Sequence, residues 1–165
     1  MLVRACSVTD IDEVQAIYAH HVRTGLGTFE ESPPSVEEMQ RRFAAVASAN
    51  YPFLVAEIDG RVAGYAYAAP FRPRAAYRYT SESSVYVAAD TQRRGIGRAL
   101  MLQVIADCQK LGHRQLLAVI GDSGNAGSVG LHSALGFARV GLFTKVGFKF
   151  QRWVDVVLMQ RALNP

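Results

Sequence analysis

The chain has 165 residues, 50% of them hydrophobic and 19% charged, which matches one globular domain with a core and excludes a disordered or fibrous chain. It carries a formal charge of +4 and a pI near 9.3, through fifteen arginines against three lysines, and arginine's planar fork suits phosphate and carboxylate. Acidic residues are interspersed throughout and no block of about five like charges occurs, so nucleic acid is not an expected partner.

The start, MLVRACSVTD, lacks the apolar core of an export signal, and no stretch reaches the roughly 18 apolar residues of a membrane span. Cys6 and Cys108 are far apart and lack C-x-x-C or metal-ligand spacing, so neither disulfide nor metal is expected and a reducing, cytoplasmic location without membrane contact fits. Residues 2–6 read as a strand. Thr9 and Asp12 stand at capping-box-like spacing, and Ile11, Val14, Ile17 and Tyr18 recur on one face of a helix reaching about Arg23. TGLGTFEESPP is a loop, and Ser35 with Glu38 forms a second capping box opening the next helix.

Two β-rich stretches flank Asp59-Gly60, the dipeptide of a type I′ hairpin turn. A basic, aromatic connector, FRPRAAYRYT, leads to the strand SESSVYVAAD. A periodic helix then spans about Gly97 to Leu111, LLAVIG reads as a buried strand, and NAGSVGLHSALGF as a short helix ending at Gly136 as its C′ residue. The tail alternates like a final strand pair. The order β-α-α-β-β-β-α-β-α-β-β predicts one domain over residues 1–165, an α/β (α+β) fold with helices packed on a mixed sheet.

The strongest signal lies between the third strand of the middle group and its helix: Gln92, Arg93, Arg94, Gly95, Ile96, Gly97, Arg98. Two glycines let N–H groups converge, the helix directs its positive end to the same place, and the arginines add charge, so the turn reads as an anion cradle. A Walker loop is excluded because Arg98-Ala99 follows Gly97. A dinucleotide fingerprint is weak because Leu100 stands where its third glycine belongs.

With the element order and the second landmark Asn125–Phe137, this Gln/Arg-x-x-Gly-x-Gly pattern resembles the GCN5-related N-acetyltransferase (GNAT) superfamily over essentially the whole chain. The resemblance implies a mixed, mostly antiparallel GNAT sheet and acetyl-CoA as co-substrate, with its pyrophosphate at residues 92–98. It also implies that the strand Val85, Tyr86, Val87 and the helix start at Asn125 and Ser128 contribute to the same site. Asn125 has two compatible uses, capping its helix and bonding the pantetheine arm.

The stretches Thr80–Val87 (TSESSVYV), Phe71–Tyr77 (FRPRAAY), TFEE around Phe29 and Glu30, and Lys149–Val156 (KFQRWVDV) resemble the phosphinothricin and methionine sulfoximine acetyltransferase branch. That branch implies Glu82 as general base, and Arg72 and Arg74 as a grip on the acceptor's carboxylate or tetrahedral head. Tyr77, Phe29 and Glu30 border the acceptor pocket by the same resemblance. Trp153 and the alternating apolar residues of the tail read as core or subunit interface, and the resemblance implies a homodimer. His132 occupies the position where many relatives carry a tyrosine that protonates the departing thiolate, and a structural histidine is the competing reading. The expected function is acetyl transfer from acetyl-CoA to the amine of a small amino-acid-like molecule. The alternatives are acetylation of peptide N-termini and a non-catalytic acyl-CoA-binding module.

Overall fold

A computed structural model describes residues 1–163. The strands are β1 (Leu2–Ala5), β2 (Phe53–Ile58), β3 (Arg61–Pro70), β4 (Thr80–Val87), β5 (Gln115–Gly121), β6 (Ala138–Lys149) and β7 (Arg152–Ala162), and the helices α1 (Ile11–Thr24), α2 (Val36–Ser48), α3 (Ile96–Lys110) and α4 (Ala126–Ala134). The elements follow the expected order. They form a seven-stranded sheet ordered β1-β2-β3-β4-β5-β7-β6, in which β4 and β5 are the parallel pair and the other neighbours are antiparallel.

Period-two alternation gives the sheet two apolar faces. On β2, Leu54 and Ala56 pack against Ile96, Leu100, Val104 and Cys108 of α3. Phe53 and Val55 point the other way, onto Ile11, Val14, Ile17 and Tyr18 of α1 and Met39 of α2. The four α1 positions are the apolar stripe legible in the sequence, each no more than 7% exposed.

The first cap differs from expectation. Asp10, not Asp12, accepts from the N–H and hydroxyl of Ser7 (2.7 and 2.9 Å), because Arg4 of β1 fixes its carboxylate with two bonds of 2.8 Å. Thr9 and Asp12 therefore do not form the box. At α2 the Ser35 hydroxyl does accept from Glu38 N–H (3.2 Å), but the Glu38 carboxylate turns to Arg41 and Arg42, so half of that box forms. Asp59 and Gly60 have φ of 51° and 76°, as a type I′ turn requires. At the end of α4, Gly136 is left-handed (φ 80°), and Phe137 and Gly136 donate to the carbonyls of His132 and Ser133 (both 3.0 Å). These two bonds make a Schellman motif.

The third predicted strand is shorter than SESSVYVAAD. It stops at Val87, and the chain turns through Ala89–Thr91, where the Thr91 hydroxyl donates to the carbonyls of Ala63 and Ala88 (3.1 and 3.2 Å).

Candidate active site

The main cleft of the described residues originates in a mismatch of strand pairing. β4 and β5 pair only from Thr80↔Gln115 to Ser83↔Ala118, although both strands continue. From Ser84 to Val87 the β5-facing backbone of β4 has no strand partner, so the sheet opens into a wedge. A cleft of about 450 Å³ fills that wedge, walled by Ser83–Val87 on one side and Ala118–Ile120 on the other.

Its floor is the predicted cradle. Gln92, Arg93, Gly95, Ile96, Gly97 and Arg98 all border the cleft. Arg93 and Gly95 are left-handed, with φ of 60° and 78°, and alternation of this kind folds successive N–H groups into a concavity for an anion. Gly95 is the N-cap of α3, and no side chain caps it, leaving the first-turn N–H groups to face the cleft. Gly97 sits close to α4: a Cβ there would lie 3.2 Å from Leu131 Cδ2, the flexible end of that side chain. Arg94 is a correction, since it turns away from the cleft and borders a second, smaller hollow of about 170 Å³ with Arg61 and Asp90.

The far wall is the start of α4. Asn125 and Ser128 border the cleft, and Asn125 Oδ1 accepts from Ser128 N–H (3.1 Å) as the N-cap. His132 also reaches the cleft, yet it is only 3% exposed and packs edge-on against Phe137 at 5.0 Å. Its Nδ1 lies 2.8 Å from the Ser128 carbonyl, an oxygen that only accepts, so Nδ1 carries the proton and Nε2 is a bare acceptor in the neutral ring. Burial lowers the His132 pKa and opposes the doubly protonated form. The proton-donor role expected of His132 is therefore not what this environment favours.

On β4, Val85 and Val87 pack on the α3 side while Tyr86 packs on the α1 side; alternation places Glu82 with Tyr86. Glu82 is paired with Ala69 and Leu117, just before the strands part. Burial raises its pKa, and the Arg72 charge pulls it back down. A buried carboxyl raised in this way is better suited to accepting a proton, and Arg72 is near enough for its charge to act on it.

Glu82 itself is not among the residues lining the cleft, and the other acceptor-side candidates also lie outside that lining. Arg72 stacks on Phe71 at 5.1 Å, Tyr77 meets Phe71 edge-on at 5.5 Å, and the Arg74 carbonyl accepts from Tyr77 N–H (2.9 Å) at the start of the short turn Ala75–Tyr77. Glu30 is tied to Arg42 of α2 at 2.8 Å. Phe29 lies over Gly147 and Gly121. No group of His, Cys, Asp and Glu suited to a metal occurs among the described residues.

With this geometry established, similarity decides the family. A model of the acetyltransferase (GNAT) domain matches residues 3–158. The chain belongs to the GNAT acetyltransferase family. Membership makes it an N-acetyltransferase with the GNAT fold. It is 55% identical to a phosphinothricin N-acetyltransferase of Alcaligenes faecalis over 98% of this chain and 82% of that one. It is 38% identical to an L-methionine sulfoximine/L-methionine sulfone acetyltransferase of Pseudomonas paraeruginosa, over 99% and 95% of the two chains. Among solved structures, a GNAT superfamily phosphinothricin acetyltransferase from Sinorhizobium meliloti in complex with AcCoA superposes with a TM-score of 0.96 at 41% identity, covering 99% of this chain and 88% of that one.

Of the cleft-lining residues that sequence reasoning did not select, two lie in and just after α1. His21 borders the cleft, with Nε2 2.9 Å from the Val87 carbonyl and its ring 5.5 Å from Tyr86. A signal existed: Val14, Ile17, Tyr18 and His21 share one helical stripe, and a polar side chain on an apolar stripe asks for a partner. Gly27 is the other, in a loop whose position no local pattern reveals.

Proposed function

We propose that this GNAT acetyltransferase moves the acetyl group of acetyl-CoA to the amine of a small, carboxylate-bearing, amino-acid-like acceptor. The acceptor class is phosphinothricin, methionine sulfoximine or methionine sulfone, and Glu82 is the general base. The observation that carries the reading is the parting of β4 from β5 after Ser83, one residue beyond Glu82. Glu82, half-buried, stands next in sequence to Ser83, the first β4 residue to line the cleft, and the cleft's floor is an anion cradle, which supports the reading.

The residues present fit that co-substrate. The uncapped N–H groups at Gly95–Arg98, with Arg93 and Arg98, suit a pyrophosphate. The unpartnered edge of Val85–Val87 offers backbone bonds to an extended pantetheine arm in place of β5, while Asn125 and Ser128 line the opposite wall. Acetyl-CoA supplies an activated thioester carbonyl. Backbone N–H groups of Val85–Val87 stabilise the negative charge that builds on its oxygen. An aliphatic amine is mostly protonated near neutrality, and Glu82, raised by burial, takes its proton. Arg72 and Arg74 hold the acceptor's carboxylate or tetrahedral head, with Tyr77, Phe29 and Glu30 shaping the surroundings. His132 fixes the turn of α4 and presents Nε2 as an acceptor.

The enzyme acts as a homodimer in the cytoplasm. Supporting the dimer, Phe143, Val146, Phe148, Phe150 and Trp153 leave 49–62% of their surface exposed along the β6–β7 edge, a row of apolar side chains suited to a second copy. Supporting the location, Cys6 and Cys108 are both free thiols.

The test is free-thiol release from acetyl-CoA with phosphinothricin, methionine sulfoximine, methionine sulfone and ordinary amino acids. Release with one or more of the first three is expected. Silence with all of them overturns the reading, and release with peptide N-termini alone moves the enzyme to another GNAT branch.

A further inference from the structure

Lys149 ends β6 with 2% of its surface exposed, and no carboxylate among the described residues pairs with it. An apolar side chain of similar length would fill the same space without the cost of burying a charge. What the ammonium adds is its donors. Nζ donates to the carbonyls of Gly25 and Thr28, both at 2.8 Å, and sits 5.0 Å from the centre of the Phe150 ring.

Those carbonyls bracket the start of the loop between α1 and α2, residues 25–28, and this stretch is also wedged against the sheet. A Cβ on Gly121 would lie 2.3 Å from the Leu26 carbonyl oxygen, and one on Gly147 2.3 Å from the Phe29 ring. On its inner side the loop meets the reaction cleft. Gly27 lines it, and the Thr28 hydroxyl bonds that of Tyr18 at 2.8 Å. Tyr18 in turn abuts Tyr86 edge-on at 5.1 Å, and Tyr86 is part of the cleft wall.

We propose that Lys149 is a positioning residue for the acceptor: its two bonds lock residues 25–29 as a wall of the cleft and thereby set acceptor affinity. The proposal rests on the acetyl-transfer reading above. Lys149 does not touch the reacting atoms, and its effect travels through the loop.

The experiment compares wild type with Lys149→Met, which removes the donors, and Lys149→Gln, which keeps two of them without the charge. Amide hydrogen exchange of residues 25–29 is measured without substrate, and steady-state KM is measured separately for acceptor and acetyl-CoA. Lys149→Met should speed exchange in residues 25–29 and raise the acceptor KM about tenfold, the scale of a lost hydrogen bond to a charged group. The acetyl-CoA KM should stay within about twofold of wild type. Lys149→Gln should fall between, and it decides the matter if Lys149→Met does not fold. Unchanged exchange in residues 25–29 overturns the proposal whatever the turnover, and so does a loosened loop with an unchanged acceptor KM. Should wild type turn over none of the acceptors, the functional reading fails, and exchange alone decides whether Lys149 locks the loop.

Discussion

Replacing Gly97 with aspartate should separate folding from binding. A Cβ at this position would meet Leu131 Cδ2 at 3.2 Å and the Cγ2 atoms of Val87 and Val85 at 3.7 and 3.9 Å, so the new side chain projects into the crevice between β4 and α4. The tightest neighbour is the flexible end of a half-buried leucine, which can yield by a few tenths of an ångström. The carboxylate also stands in the first turn of α3, where the helix dipole favours an anion by about 0.3–1 kcal/mol. Stability should therefore stay within about 1 kcal/mol of wild type. Binding should not. A carboxylate about 4 Å from a phosphate charge is repelled by about 4 kcal/mol at an effective dielectric of about 20. That corresponds to almost three decades of affinity. Arg93 and Arg98, both exposed, and mobile salt offset part of it, leaving an expected loss of about 100-fold or more. Calorimetric titration with CoA, paired with a thermal melt of the same Gly97→Asp sample, reads both halves. A CoA affinity within about threefold of wild type in a folded variant would refute the cradle argument.

Glu82→Gln should lower kcat about 100-fold while CoA affinity is preserved, as loss of a general base requires; equal turnover by thiol release would remove Glu82 from that role. In wild type, Glu82 works only when ionised and burial raises its pKa, so kcat/KM should fall as pH drops through that raised value. Arg72→Ala should raise the acceptor KM and spare CoA binding. Because Arg72 lowers the Glu82 pKa, the acid limb of the same variant's pH profile should move to higher pH, and movement to lower pH would contradict the placement of Arg72. His21, His113 and His132 have pKa values lowered by burial. The unfolded chain then binds more protons near and below pH 6.5, so stability is fully present above that pH and is lost as pH falls below it. Glu82 acts in the opposite sense as one group against three. A melting temperature that rises from pH 7 to pH 5 would contradict the sign.

What could be read from the sequence was what local chemistry decides. The stripe Ile11, Val14, Ile17, Tyr18, the Asp59-Gly60 turn and the Gly136 helix stop each depend on neighbours within a few residues. The cradle was legible because its glycines, arginines and following helix are contiguous. Features set by distant contacts were not. Arg4 moved the first cap to Asp10, and the backbone, not composition, sends Arg94 away from the cleft that Arg93 borders. The β6–β7 turn is built on Phe150 and Gln151, with φ of 51° and 59°, a left-handed pair without glycine that no turn rule selects. His132 was recognisable as a residue bordering the cleft, but the tautomer that limits its chemistry depends on the Ser128 carbonyl. Lys149 stood out only as part of a motif, and its burial under the Gly25–Phe29 loop joins segments more than a hundred residues apart.

The central claim is that the parted strands and the turn at residues 92–98 together hold acetyl-CoA. The most direct measurement is amide hydrogen exchange of the wild-type protein with and without acetyl-CoA. The account predicts added protection at Val85–Val87 and Gln92–Arg98, and no change at the hollow formed by Arg61, Asp90 and Arg94. Protection confined to other segments, or none at saturating acetyl-CoA, would contradict it.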